Sequence, residues 1–187
     1  MPLELLSCEK SYWLIDRATN KLYFIINKGW PYSSLVAKKA LKNMLYHKHL
    51  LLNLKVARPP RDATEVESFL TFLIKRVDMQ IAVSDTLPKN PMAFYCDITG
   101  NQGATGTGIL VTSHTALHTW DSEYPAKFDF DLYSCSDFDV ENVLTLLQSF
   151  DIIEGNYVIL DRNADIQIVE QGTIGENGTI TQRSTND

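Results

Sequence analysis

Thirty-one residues, Thr105 to Cys135, gather most of the side chains in this chain that could do covalent chemistry. They run Thr105-Gly-Thr-Gly108, an apolar stretch to Val111, Thr112-Ser113-His114, then His118-Thr119-Trp120. An acidic loop holding Glu123 follows, and the segment closes on Asp131-Leu-Tyr-Ser-Cys135. A serine hydroxyl can act as a nucleophile, an imidazole as its base, and a thiol as nucleophile or proton donor. Ser113 stands at the end of an apolar strand, and strained turns after strands commonly present nucleophiles.

Along a strand the side-chain period is two, so His114, Ala116, His118 and Trp120 share one face and Ser113 points to the other. Ser113 can meet His118 only if the chain turns between them. The sequence therefore predicts a strand ending near Thr112, a short irregular piece, and a new strand from about Thr115. Three readings stay open on the residues alone. Ser113, His114 and His118 can be polar face residues beside a structural tryptophan. His114 and His118 can ligate a metal, although i,i+4 spacing converges on a helix and not along a strand, so no metal is expected. Ser113 or Cys135 can form a hydrolase dyad with a histidine, but no Gly-x-Ser-x-Gly is present.

The elements that must position these groups are legible in the periodicity. Residues 11–16 and 21–26 flank Arg17-Ala-Thr-Asn20 as a hairpin. Ser33 or Ser34 caps a basic helix to about Tyr46. A strand at 50–57 ends before Pro59-Pro60, and Asp62 or Thr64 starts a helix to about Val77, buried through Val66, Phe69, Leu70 and Leu73. Short strands are expected at 80–84 and 92–98. The glycine-rich stretch 100–108 reads as a loop that turns or comes close to something, running into a strand at 109–112. A half-buried strand at 128–133, a helix from Ser136 or Asp137 to about Phe150, and strands at 156–160 and 165–169 follow. Residues 1–47 are read as an N-terminal extension, 48–170 as the core, and 171–187 as a polar tail. The fold class is an α/β (α+β) sandwich: a largely antiparallel sheet with helices packed on one face. The other face needs a partner, and a second copy in a homodimer is the expectation.

A chain of 187 residues that is 44% hydrophobic can bury one full core. Its start has no basic leader and no apolar run reaches membrane-spanning length, so neither a signal peptide nor a membrane partner is expected. Cys8, Cys96 and Cys135 are widely spaced without CxxC, which argues against a disulfide scaffold and for a reducing, cytoplasmic compartment. The charge is asymmetric: residues 1–61 carry eleven Lys/Arg against three Asp/Glu, and residues 62–187 six against twenty. A basic N-terminal third can mark a nucleic-acid face, but the total of −6 and the lack of an arginine-rich stripe favour an intramolecular or dimeric charge match. The acidic body suits a cationic small molecule.

Ser113-His114-Thr-Ala-Leu-His118-Thr119-Trp120, followed by Asp131-Leu-Tyr-Ser134-Cys135, resembles the core of the bacterial and archaeal S-adenosylmethionine decarboxylase proenzymes. The likeness spans roughly residues 48–165. It implies that Ser113 attacks the carbonyl of Thr112, that the chain is cut there, and that Ser113 becomes a pyruvoyl group, the cofactor, with no metal. It further implies that this ketone forms a Schiff base with the substrate amine. Under the same resemblance His118 moves protons during processing, Thr105 supplies a hydroxyl near the cleavage site, and Cys135 is the proton donor. Trp120, Glu123 and His114 are the implied substrate-binding residues. The substrate is S-adenosylmethionine, for spermidine synthesis, with arginine or ornithine as alternatives. Thr112 stands where the family usually has Glu, and Thr105 where it usually has Ser. These departures define the alternative: an unprocessed, non-catalytic homologue that binds a small cationic metabolite or a protein partner.

Overall fold

The computed structural model describes residues 3–8, 11–16, 21–25, 47–87, 89–163 and 165–185. The chain divides into two compact units, Met1–Met44 and Leu45–Asp187. In the first, β1 (Leu3–Cys8), β2 (Ser11–Asp16) and β3 (Lys21–Ile25) form a three-stranded antiparallel sheet in that order. The expected hairpin is the β2–β3 pair, running from Tyr12↔Ile25 to Asp16↔Lys21. Strand β1 was not anticipated. The helix predicted from Ser33 or Ser34 to Tyr46 lies outside the described residues.

The second unit is built on β4 (Lys48–Val56), α1 (Ala63–Arg76), β5 (Met92–Cys96), β6 (Gly103–Leu110), β7 (Ser113–Trp120) and β8 (Ala126–Ser134). It continues through α2 (Val140–Leu147), β9 (Ile152–Asp161), β10 (Gln167–Ile174) and β11 (Ile180–Thr185). The strands make one antiparallel sheet in the order β11-β10-β9-β4-β8-β7-β6-β5. Period-two burial explains its two faces. Leu50, Leu52, Leu54 and Val56 of β4 and Phe128, Phe130 and Leu132 of β8 are buried. They share one core with Val66, Phe69, Leu70 and Leu73 of α1 and Val143, Leu144 and Leu147 of α2. Both helices therefore cover one face, as the sandwich reading requires.

Asp62 caps α1 by accepting the Glu65 N–H at 2.8 Å, and Lys75 and Arg76 sit in the last turn, where a cation suits the helix dipole. Asp139 caps α2 through the Glu141 N–H.

Four local expectations are corrected. The glycine-rich stretch is not a loop up to Gly108: β6 begins at Gly103. A Cβ on Gly106 would stand 2.3 Å from Val66 Cγ1, so the missing side chain lets α1 lie directly on the strand. Residues 80–84 form no strand; Ile81 and Ser84 make only isolated bridges. No irregular piece separates Ser113 from Thr115, because β7 pairs with β6 from Leu110↔Ser113 onward. Residues 171–185 of the expected tail are not free. Thr and Ile alternate through it, β11 pairs with β10, and Arg183 ties the edge to Tyr157, Glu170 and Glu141.

Candidate active site

Strands β6 and β7 are joined by two residues, Val111 and Thr112, and Thr112 has φ 68°. The left-handed region is a genuine outlier for a β-branched residue, so this turn is strained at Thr112. Ser113 follows at once. Its neighbours in phase on β7, Thr115, Leu117 and Thr119, are buried against the helix side, whereas His114, Ala116, His118 and Trp120 look to the open face.

The residue that follows β8, Cys135, closes over this turn. Its backbone N–H donates to Ser113 Oγ at 3.3 Å, and the Ser113 hydroxyl donates to Cys135 Sγ at 3.8 Å. The Thr112 hydroxyl donates to the Val111 carbonyl at 2.5 Å. The same oxygen lies 2.8 Å from Cys135 Sγ and is left to accept the thiol proton. Thiol, serine hydroxyl and threonine hydroxyl thus form one chain of polar contacts around the Thr112–Ser113 peptide bond. Such a set can present a nucleophile to the carbonyl of Thr112 and move its proton.

His118 is elsewhere. On the open face its Nδ1 lies 3.2 Å from the Thr105 hydroxyl, across the β6–β7 pair Thr105↔His118. The imidazole expected to move protons in processing and the hydroxyl expected near the cleavage site touch each other, but on the opposite side of β7 from Ser113. His118 also lines a cleft of about 370 Å³ with Asp129, Asp131, Asn53, Asn156 and Leu51. The carboxylates at this cleft suit a cationic guest. Trp120 stacks near His118, with ring centroids 6.2 Å apart, and carries the Lys127 ammonium 4.6 Å above its ring. Glu123 is exposed in the loop between β7 and β8.

Sequence reasoning missed the polar group around Tyr133. His49 of β4 and His114 of β7 flank the Tyr133 ring, at 5.7 and 5.4 Å, and His47 Nδ1 lies 2.6 Å from the Tyr133 hydroxyl. Arg162 reaches His49 Nδ1 at 3.3 Å. Burial holds the His49 imidazole below its ordinary pKa; the Asp131 carboxylate opposes this, and Arg162 and His114 add to it. The HisLysHis run at 47–49 lies in the basic N-terminal third. Its alternation was the available signal: Lys48 turns inward to Asp137 at 2.8 Å, so His47 and His49 must face the other way.

A strand–turn–strand here presents a serine beside a thiol at the edge of a half-covered antiparallel sheet. The sequence model for S-adenosylmethionine decarboxylase matches residues 48–162, nearly all of the second unit up to the end of β9. The chain belongs to the S-adenosylmethionine decarboxylase family. No curated protein matches the chain.

Proposed function

We propose that this chain is the proenzyme of a pyruvoyl-dependent decarboxylase that cuts itself between Thr112 and Ser113 and acts on S-adenosylmethionine, supplying spermidine synthesis. The observation that carries the reading is the contact of Cys135 with both Thr112 and Ser113 at a strained two-residue turn. Attack of Ser113 Oγ on the Thr112 carbonyl forms an ester as the amide C–N bond breaks, freeing the Ser113 amine. Removal of the Ser113 Cα proton then expels the Thr112 carboxylate and leaves dehydroalanine, whose imine tautomer takes up water and loses ammonia. Strain at Thr112 raises the energy of the uncut turn, and the shift to an ester relaxes it.

The residues present fit the group so made: Ser113 opens the new chain, and the Cys135 N–H and thiol remain beside it. A ketone there supplies an electron sink for loss of CO2 from a bound amino acid. Cys135 is suited to return a proton after CO2 leaves. Thr105 and His118 act as a pair that supports processing from the far face of β7, without touching Ser113. Trp120, Glu123 and His114 are the substrate-binding candidates, and the acidic cleft favours a sulfonium over a neutral ligand. The open face exposes Leu51, Phe94, Ile109 and Trp120, which a second copy of the chain would cover. Among the described residues no helix is long and apolar enough to cross a membrane.

Intact mass of the denatured protein, with and without phenylhydrazine, tests the reading. Fragments of 112 and 75 residues are expected, the smaller one gaining a hydrazone at its start. A single full-length mass after prolonged incubation would instead support an unprocessed binding domain.

A further inference from the structure

The open face carries a second group that the chemistry above does not require as a unit. His49 of β4 and His114 of β7 both pair with Tyr133 of β8, one from each side. Asp131 precedes Tyr133 by two residues, so it shares their face and lies diagonal to both. Each of the three offers one donor atom, and these atoms all lie within 4.8 Å of one another. His114 Nε2 stands 4.0 Å from Asp131 Oδ1. Two of the donors, His49 Nε2 and Asp131 Oδ1, are buried and have no hydrogen-bond partner among the described residues. Leaving such atoms unsatisfied is costly, so the bare arrangement asks for a ligand.

We propose that His49 Nε2, His114 Nε2 and Asp131 Oδ1 bind one divalent first-row transition-metal ion, most simply zinc. Two imidazoles and one carboxylate are the donor set of open zinc sites and of mononuclear iron sites, and they leave a fourth position for water. Magnesium and calcium want mostly oxygen, which this trio lacks. Zinc-to-donor distances of roughly 2.0–2.2 Å put tetrahedral donors about 3.4 Å apart, within reach of small side-chain rotations from the spacing observed.

The surroundings define what must change on binding. Arg162 can only donate, so in the free protein it faces a bare His49 Nδ1 and the ring proton sits on Nε2. When Nε2 ligates, that proton moves to Nδ1 and the exposed Arg162 swings away, the ion's charge replacing the guanidinium's. The two imidazoles meet edge to face at 6.0 Å, and the Tyr133 ring, held by His47, packs against both and limits their rotation. Histidines 114 and 118 are thus not a ligand pair with each other. His114 finds its partners on β4 and β8, through strand register and not along its own chain.

The site does not depend on backbone cleavage, so Ser113→Ala protein, which cannot be cut, separates the two ideas. Metal-stripped Ser113→Ala and native protein are titrated with Co2+ in visible absorption and with Zn2+ by calorimetry. One ion per chain, cobalt d–d bands and a raised Tm are expected in both. His49→Gln and Asp131→Asn should each weaken binding by more than about 100-fold, beyond the loss typical of outer-shell changes, and His47→Gln should leave it nearly unchanged. The metal-free Tm of each variant reports that it is folded. No bands and no heat at millimolar metal, or binding that survives both ligand variants, would overturn the assignment.

Discussion

Thr112 and Cys135, 23 positions apart, are joined hydroxyl to thiol at 2.8 Å. The thiol therefore rests on the residue before the proposed cut, not only on the serine after it. Under the proposed reaction Thr112 ends the larger fragment, so cleavage unties the acceptor of the Cys135 proton from Ser113.

Cys135→Ala should keep cleavage nearly intact and lower CO2 release by about 100-fold or more, the scale of a lost general acid. Fragment masses and labelled-CO2 release read the two steps separately. Loss of both together would mean that the thiol, through its contact with Ser113, also drives processing.

Thr112→Gly relieves the φ of 68° that a β-branched residue adopts only with strain. In a Ser113→Ala background it should raise stability by about 1 kcal/mol. In the cleavable chain the same relief should slow the cut by about fivefold, because the starting state is lowered by that amount. Chemical denaturation and a time course of intact mass check the two halves, and an unchanged cleavage rate would show that the turn's strain is not used.

Thr105→Val and His118→Gln remove opposite ends of one 3.2 Å contact. Both should slow processing, and the double variant should be little slower than His118→Gln alone, as expected when two groups act as one. Independent, multiplying effects would break the pair into separate roles.

Glu65 ties the start of α1 to two arginines and, through Arg58, to the Ser149 carbonyl beyond α2. Burial pushes its carboxyl up, but the Arg61 backbone N–H and the Arg58 and Arg61 guanidiniums outweigh this and leave it below its ordinary value of 4.5. A carboxyl depressed on folding contributes fully above the unfolded pKa and loses that contribution as pH falls through the folded one. Glu65→Gln should cost at most about 1 kcal/mol at pH 7, and the difference from native protein should shrink on titrating from pH 5 to pH 3. Urea midpoints across that range would show it; a gap that stays constant would remove charge from the explanation.

Periodicity made the helices and central strands readable, because Val66, Phe69, Leu70 and Leu73 mark one stripe and Leu50, Leu52 and Leu54 one face. Gly106 was misread since a glycine under a helix and a glycine in a loop look alike until the helix is docked. Segment 171–187 was misread because an edge strand needs little apolar content. At the site, Ser113, His118 and Cys135 stood out by type, and the two faces of β7 were foreseen. The thiol's grip on Thr112 and the meeting of His49, His114 and Asp131 depend on pairing register between β4, β7 and β8, which no local pattern encodes.

The strand order carries one last consequence for a chain that is cut at Thr112. The N-terminal fragment keeps β4, β5 and β6, yet β4 lies between β8 and β9, which belong to the C-terminal fragment. The two pieces are dovetailed: neither can leave without tearing ladders on both sides of the sheet's central strand. Dilution, gel filtration or native electrophoresis should therefore report one particle long after denaturing gels report two chains.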